Sequence, residues 1–553
     1  MLLILTNAID RFKNNYLSKI NWILLLFLVF FLNVKMPVKI AAVVFFLLLN
    51  RNLFLEKDFY RQKFIWFYVS MIIIGVINLL INITSISVPY LFTTLTGILF
   101  WLLCIGAALL NSWFVKKTDT DKLHATITLF FILNIAVTIG QLILIMLDAG
   151  SLNPYIYQGM RQKYFIGTGD FMTGITLDVS TTNAILNSFG IVYFLKRNKM
   201  LLVLLCMVVL LLTASNFTNV LLLFVLFYLF IFQSTKGQKS IIVVCSLLMV
   251  IFMTKISPQN DNYVIGFYNK FFDKKIKAIA QQKIVAPVTE KPDSLLTAEE
   301  KKQKTAMLYL DSLAKKTLEV RVNKDPSLPT TMATTASISS GIKPTIPKAN
   351  IHTEPYQRRR DTTAYQKGLM EFAHTTIPAF DTSLSQTKAR KIPGKFIALR
   401  QTFQFLKVHP LKMITGTGMG NFSSKLAFRA TALQMAGSYP KRMAYIHNDF
   451  LNNHLNLYLT YFSKDIELHS LVNSPNSVYD QLIAEYGLAG ILAFILLYLA
   501  FYIKYLKKLS YGIPLLLLLL GCFGVEYWYE QLSIVILFEL LMLLNIKEQN
   551  DVQ

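Results

Sequence analysis

A dozen apolar runs, most of them free of charge, constrain this 553-residue chain more than any other feature. They cover 21–34, 38–53, 64–82, 90–114, 124–147, 181–195, 200–213, 217–232, 240–253, 478–505, 512–524 and 532–545. A segment of about 20 apolar residues spans the hydrocarbon of a bilayer, and somewhat fewer suffice where the bilayer thins. Apolar residues make up 54% of the chain and the mean hydropathy is +0.47, so lipid rather than water is the expected solvent. Backbone polar groups in lipid must be satisfied within the segment, which makes each span a helix. The fold expected is an all-α polytopic membrane protein of about twelve transmembrane helices. The first two runs are short and closely joined and read as a hairpin. Arg11, Lys13 and Lys19 precede the first run and no small-residue cleavage site follows it, so that run is expected to be retained.

The charges orient these spans. Lys and Arg concentrate in short cytoplasmic loops. With the N-terminus inside, the inner loops carry Arg51, Lys57, Arg61 and Lys63; Lys116, Lys117 and Lys122; Lys196, Arg197 and Lys199; Lys236 and Lys239; and Lys504, Lys507 and Lys508. The short outer loops 83–88, 214–216 and 526–531 contain no Lys or Arg, whereas Lys35 and Lys39 depart from the pattern. The alternation implies an even number of spans with both termini cytoplasmic. It divides the chain into nine spans (1–254), a large extracytoplasmic loop between the ninth and tenth spans (255–477), and three spans with a short cytoplasmic tail (478–553). A second outer segment, 148–180, carries Arg161 and Lys163.

Within the large loop, 282–391 is rich in Lys, Thr, Ser and Pro and lacks an apolar period, which reads as disordered or extended chain. Residues 299–322 could form one polar helix. From Gly394 the composition changes: Phe396, Leu399, Phe403 and Leu406 recur at helical spacing, Pro410 ends the helix, and a turn Thr415-Gly416-Thr417-Gly418-Met419-Gly420-Asn421-Phe422 follows.

Composition also excludes classes. The net charge of +24 is what membrane topology and anionic lipid produce, and no aromatic-interleaved basic patch points to nucleic acid. Cys104, Cys206, Cys245 and Cys522 all sit in apolar runs without metal-ligand spacing. Asp119 and Asp121 lie in a very short charged turn with no room for a nucleotide-binding fold. The glycine turn could cradle phosphate through backbone N–H groups, but it lacks the Lys-Ser/Thr ending of a P-loop. Six of the seven histidines fall in the large loop, and His447, His454 and His469 gather just before the tenth span. Their spacing does not suit a metal site.

Asn473-Ser474-Pro475-Asn476-Ser477-Val478-Tyr479-Asp480-Gln481-Leu482-Ile483-Ala484-Glu485-Tyr486-Gly487-Leu488-Ala489-Gly490 resembles the loop-to-membrane return of the O-antigen ligase and polymerase superfamily. That pattern is His-Asn or His-Ser, then leucines, then Glu-x-Gly-x-x-Gly entering a span. Upstream, Gly394-Lys395, Leu399-Arg400, His409-Pro410 and the glycine turn resemble the family's amphipathic helix, proline and turn. By spacing to Gly487, the family's histidine would fall at Asn476; His469-Ser470 and His447-Asn448 each match the start of the motif.

The resemblance implies glycan transfer from an undecaprenyl-diphosphate carrier to an acceptor hydroxyl at the outer face of a bacterial inner membrane. It implies no cofactor and no metal. The acceptor would be lipid A core, a growing glycan or a protein, and the motif set does not separate ligase, polymerase and protein O-glycosyltransferase. The leaving diphosphate needs cations and the acceptor a base near neutral pKa, a role that suits histidine. The expected bases are His469, then His447, then His454; the expected substrate contacts are Arg161, Lys395, Arg400, Arg429 and Glu485. Two other classes compete. A multi-pass transporter or flippase would want ionisable residues inside the spans, which are almost free of them. A non-enzymatic membrane protein of cell-envelope polysaccharide export would explain the flexible insertion but not the two motifs.

Overall fold

The structure, a computed structural model, describes residues 17–33, 35–51, 62–82, 87–155, 168–177, 179–256, 393–431, 439–455, 457–458, 474–506 and 509–551. The expectations for 282–391, including the polar helix 299–322, lie outside these residues. Every apolar run falls on a helix. The first nine are α1 (Trp22–Phe31), α2 (Met36–Leu49), α3 (Lys63–Ile81), α4 (Val88–Lys117), α5 (Thr120–Ala149), α6 (Ser180–Lys196), α7 (Met200–Leu212), α8 (Asn216–Phe232) and α9 (Lys236–Ile251). After the large insertion come α10 (Gly394–Val408), α11 (Pro410–Thr415), α12 (Lys425–Ala430) and α13 (Asn448–Asn453). The chain ends with α14 (Val478–Ala493), α15 (Gly512–Cys522) and α16 (Trp528–Asp551). No strand occurs among the described residues.

Five helices are long and apolar enough to cross a membrane: α3, α4, α5, α14 with its continuation to Ile503, and α16. They make this a helical, membrane-embedded protein; α1, α2, α7, α8 and α15 are apolar but shorter. Local chemistry sets the ends. Ser87 accepts from Tyr90 N to cap α4, whose first turn holds a proline, and Thr235 with Gln238 forms a capping box at α9. Gly150, in the left-handed region, closes α5.

The centre of the bundle is α16, buried without interruption from Gln531 to Asn545. Its first residue, Trp528, joins a cluster with Phe67 of α3 (5.1 Å between ring centroids), Trp101 of α4 (5.7 Å), and Phe494 and Tyr498 of the tenth run (6.0 and 5.7 Å). Edge and tilted geometries of this kind add to the burial of each ring.

Two features depart from the sequence reading. Lys39, expected in an outer loop, is buried within α2, where its ammonium donates to Phe31 O at 2.8 Å and Ser533 Oγ at 2.5 Å. A cation held by α1 and α16 is a packing element, so it stands outside the loop-charge rule. The spans also hold more ionisable groups than composition suggested: Glu539, fully buried in α16, accepts from Tyr68 Oη of α3 at 2.5 Å.

A polar seam ties the short loop 168–177 into the bundle. Asn183 of α6 accepts from Asn134 Nδ2 and Asn187 Nδ2, each at 2.9 Å, and donates to Met172 O at 2.8 Å and Thr138 Oγ1 at 3.2 Å. Asn134 in turn accepts from Ile175 N, and Gln141 from Gly174 N. Removing the hub would orphan several buried partners. Asn183→Ala should therefore destabilise the folded protein by roughly 1–2 kcal/mol, the upper range for polar contacts between membrane helices, as read from unfolding in detergent.

Candidate functional site

The two glycine motifs form one device. The tenth run starts as a helix at Val478 and breaks at Gly487, whose φ of 63° and ψ of −160° are not helical. The break frees carbonyls that an unbroken helix would use. The glycine turn takes them: Thr417 N donates to Ala484 O at 2.9 Å and Gly418 N to Glu485 O at 3.1 Å. Gly416 and Gly418 adopt φ of 80° and 96°, where a side chain is strained. The approach is too close for a Cβ on either side. One built on Gly416 would stand 2.3 Å from Glu485 O, and one on Gly487 2.5 Å from Gly416 N.

Glu485 seals the joint. It is 1% exposed, and Phe422 N donates to Oε1 at 3.4 Å while Gly420 N and the Ser424 hydroxyl approach the same carboxyl group. The amides considered above for phosphate thus serve an internal carboxylate and two internal carbonyls. Glu485, expected to contact substrate, lies inside the lock. Its neighbour Tyr486 accepts from Trp101 Nε1 at 2.7 Å, which connects the lock to the aromatic core.

Beside the lock lies a second buried cluster. Asp480, in the first turn of α14, accepts from Thr402 Oγ1 at 2.7 Å and Ser423 Oγ at 2.5 Å. His454 Nε2 is 3.2 Å from the same threonine oxygen and 3.5 Å from Asp480 Oδ2. These neighbours assign the proton to Nε2, donated along His454, Thr402 and Asp480. Nδ1 keeps its lone pair and, although buried, has no hydrogen-bond partner. Phe422 packs edge-on against the ring at 4.6 Å. Burial holds the imidazole below its ordinary pKa, opposed by the negative charge of Asp480.

His447 is built differently. It caps α13, accepting from Asp449 N through Nδ1 at 3.1 Å. Its lone pair is thereby engaged, and Nε2 of the neutral ring carries the proton. Lys412 holds Asp449 in an ion pair at 2.5 Å. The His447 ring, about a fifth exposed, reaches the surface beside Tyr445, which donates to Asn421 Oδ1 at 2.8 Å. Burial lowers the His447 pKa, Asp449 raises it and Lys412 lowers it further.

The expected cations separate. Lys395 points inward, donating to Asn476 O and, at 2.8 Å, to Val525 O. Burial pushes its pKa down to about 8, against the attraction of Glu526 and Asp480. Two of its three protons are spent on carbonyls, so it acts as a clamp on the return segment. Asn476, where the family's histidine would fall, donates to Glu526 Oε2 at 2.7 Å and belongs to the same clamp. Burial raises Glu526 to about 7. Arg429 is committed to Tyr529, donating to its hydroxyl at 2.9 Å with the guanidinium 4.7 Å from the ring centroid. Arg400 lies on the exposed side of α10, opposite Ala398, Thr402 and Phe405, which face the bundle. Arg161 and His469 fall outside the described residues.

Sequence reasoning missed Asp480, Thr402 and Ser423. The available signal was Asp480 itself, an ionisable residue at the start of an apolar run, where a partner is the rule. Among the described residues no group of three or more His, Cys, Asp or Glu side chains comes together as a metal would require. Comparison with protein-family models, with curated proteins and with solved structures finds no match to this chain.

The lock makes a direct prediction. Gly487→Ala forces a left-handed φ on a side chain and drives its Cβ into backbone that cannot move aside. The cost should be on the order of 3 kcal/mol, seen as a lower melting temperature and poorer yield of folded protein in detergent.

Proposed function

We propose that this protein transfers glycan from a polyprenyl-diphosphate carrier to an acceptor hydroxyl, in the manner of the O-antigen ligase and polymerase superfamily, at the outer face of a bacterial inner membrane. The observation that carries the reading is the Asp480–Thr402–His454 chain, which leaves one imidazole lone pair uncommitted beside the joined motifs. An oriented histidine with a carboxylate behind it and one buried nitrogen left without a hydrogen-bond partner supports the reading of a general base. The sequence order of bases is thereby revised: His454 is the base, Asp480 a positioning residue, and His447 a donor through Nε2.

In the reaction the acceptor oxygen attacks the anomeric carbon of the donor sugar. The bond from that carbon to the diphosphate oxygen breaks, its electron pair leaves with the polyprenyl diphosphate, and the acceptor proton passes to His454 Nδ1. His447 Nε2–H and Lys412, both at the surface of this region, supply hydrogen bonds and charge for the departing anion. The twelve-span topology, with both termini cytoplasmic and 255–477 outside, belongs to this proposal. A reporter fused at Thr335 should be active only if it is an enzyme that functions in the periplasm; cytoplasmic reporter activity there overturns the topology.

His454→Ala should lower transfer by about 10²–10⁴ in the protein that inserts and folds, and because the ring is buried it should lower the melting temperature as well. Asp480→Asn should lose much of the same rate, since an amide no longer fixes the tautomer. The working form is the neutral imidazole, and its pKa is lowered from the ordinary 6.5. Activity should therefore hold from neutral pH down through 6.5 and fall only at lower pH. Glycan profiling of a deletion strain reads out the class. Lipid-linked polymer indicates a ligase, single repeats a polymerase, and loss of glycoprotein a protein transferase. Loss of transfer in His469→Ala with His454→Ala still active would move the base to the earlier-favoured residue. Retention of activity in all three histidine variants, His447→Ala included, would end the mechanism.

A further inference from the structure

The helical pair α10–α11 has a face that the lock and the buried cluster do not use. Along α10, Phe396, Arg400, Phe403 and Lys407 fall at intervals of four, three and four and form one stripe. Phe396 and Phe403 are 58% and 57% exposed, and Arg400 and Lys407 are exposed beside them. On α11, Leu411 is 83% exposed and Ile414 is exposed too. In water such a surface would be costly, because large apolar side chains are here grouped rather than scattered.

Its surroundings indicate what covers it. The opposite face of α10 packs on α14, and α11 packs on both α14 and α3. Both of those helices are long and apolar enough to cross a membrane. They carry their own exposed apolar residues, Leu488 and Leu492 on α14 and Ile77, Leu80 and Ile81 on α3. The apolar stripe of α10–α11 therefore continues surfaces that already face lipid. The charge is one-sided: residues 394–415 contain four basic side chains and no acidic one. Lys395 is turned inward and Lys412 is paired with Asp449, which leaves Arg400 and Lys407 on the stripe. Aromatic rings alternating with long basic side chains suit a helix at head-group depth. The rings enter the acyl boundary and the cations reach back to phosphate.

We propose that α10–α11 lies in the interface of the bilayer as a membrane-surface anchor, with Phe396, Phe403, Leu411 and Ile414 in the acyl boundary and Arg400 and Lys407 on the phosphates of anionic phospholipids. This goes beyond glycan transfer and holds for any reaction the protein performs. The anchor would fix the depth of Thr402, one step round the same helix, and hence of the His454 cluster.

The test is spin-label accessibility in the reconstituted full-length protein, whose four native cysteines are buried. Nitroxides are placed at Phe403→Cys and Leu411→Cys, with Arg442→Cys, an exposed position, as the aqueous control. Vesicles are phosphatidylethanolamine with phosphatidylglycerol, or phosphatidylcholine alone. Labels at 403 and 411 should relax several-fold more with oxygen than with a water-soluble nickel chelate, and the label at 442 the reverse. The label at 403 should move outward when anionic lipid is omitted, and equally in the Arg400→Gln/Lys407→Gln protein with anionic lipid present. Preferential relaxation of both 403 and 411 by nickel overturns the anchor. A depth at 403 that ignores both lipid charge and the double substitution overturns the assignment of Arg400 and Lys407.

Discussion

Everything around the candidate site depends on one backbone contact, the meeting of Gly416 with the break at Gly487. A membrane helix that stops mid-course must find new partners for its freed carbonyls, since lipid offers none. Here the partners are the amides of Thr417 and Gly418, delivered by a segment some 70 residues upstream in sequence. The contact is possible because neither glycine carries a Cβ. Once made, it determines where Phe422, Ser423 and Ser424 stand, and through them how Asp480 and Glu485 are satisfied.

The same contact explains why acidic groups can sit at the head of an apolar helix. Asp480 receives two hydroxyls and Glu485 an amide, so each has donors before it is sealed from water. Lys395, expected at the diphosphate, is spent differently: it joins Asn476 O to Val525 O, across the start of α14 and the entry to α16. Its charge tightens the frame rather than greeting an anion.

Much of this was legible in the sequence, and the reasons are physical. All twelve apolar runs fall on helices, the structure in which an apolar segment satisfies its own backbone. The glycines of 416–420 stood out as a phosphate-cradle pattern, and together with Gly487 through their resemblance to the family's motifs; that the two sets touch was not legible, because a contact between segments some 70 residues apart leaves no local period. The ranking of the histidines followed sequence adjacency to the return helix. Adjacency says nothing about tautomers: the His-Asn pair at 447 puts its lone pair into a helix cap, whereas His454, without a motif neighbour, is oriented by Asp480 from another element. Lys39 misled the charge count for a related reason, as a loop rule cannot register that a lysine is turned inward to Ser533.

Glu539 gives the competing transporter class its best observation, and its setting argues against that class. A carboxyl that loads and releases an ion or proton needs a path of polar groups or water toward a surface. Glu539 is fully buried, receives Tyr68 Oη, and neighbours the rings of Tyr498 and Tyr502, with Phe67, Trp101 and Trp528 packed around that group. Large aromatic rings from four helical segments close the space along which charge would travel. The groups at the glycine lock are arranged the other way, with His447 reaching the surface and Lys412 beside it. Polar chemistry thus gathers where α14 begins and gives way to packed aromatics toward the bundle interior. That gradient suits a protein that works on a head group at the membrane surface better than one that moves a solute through its centre.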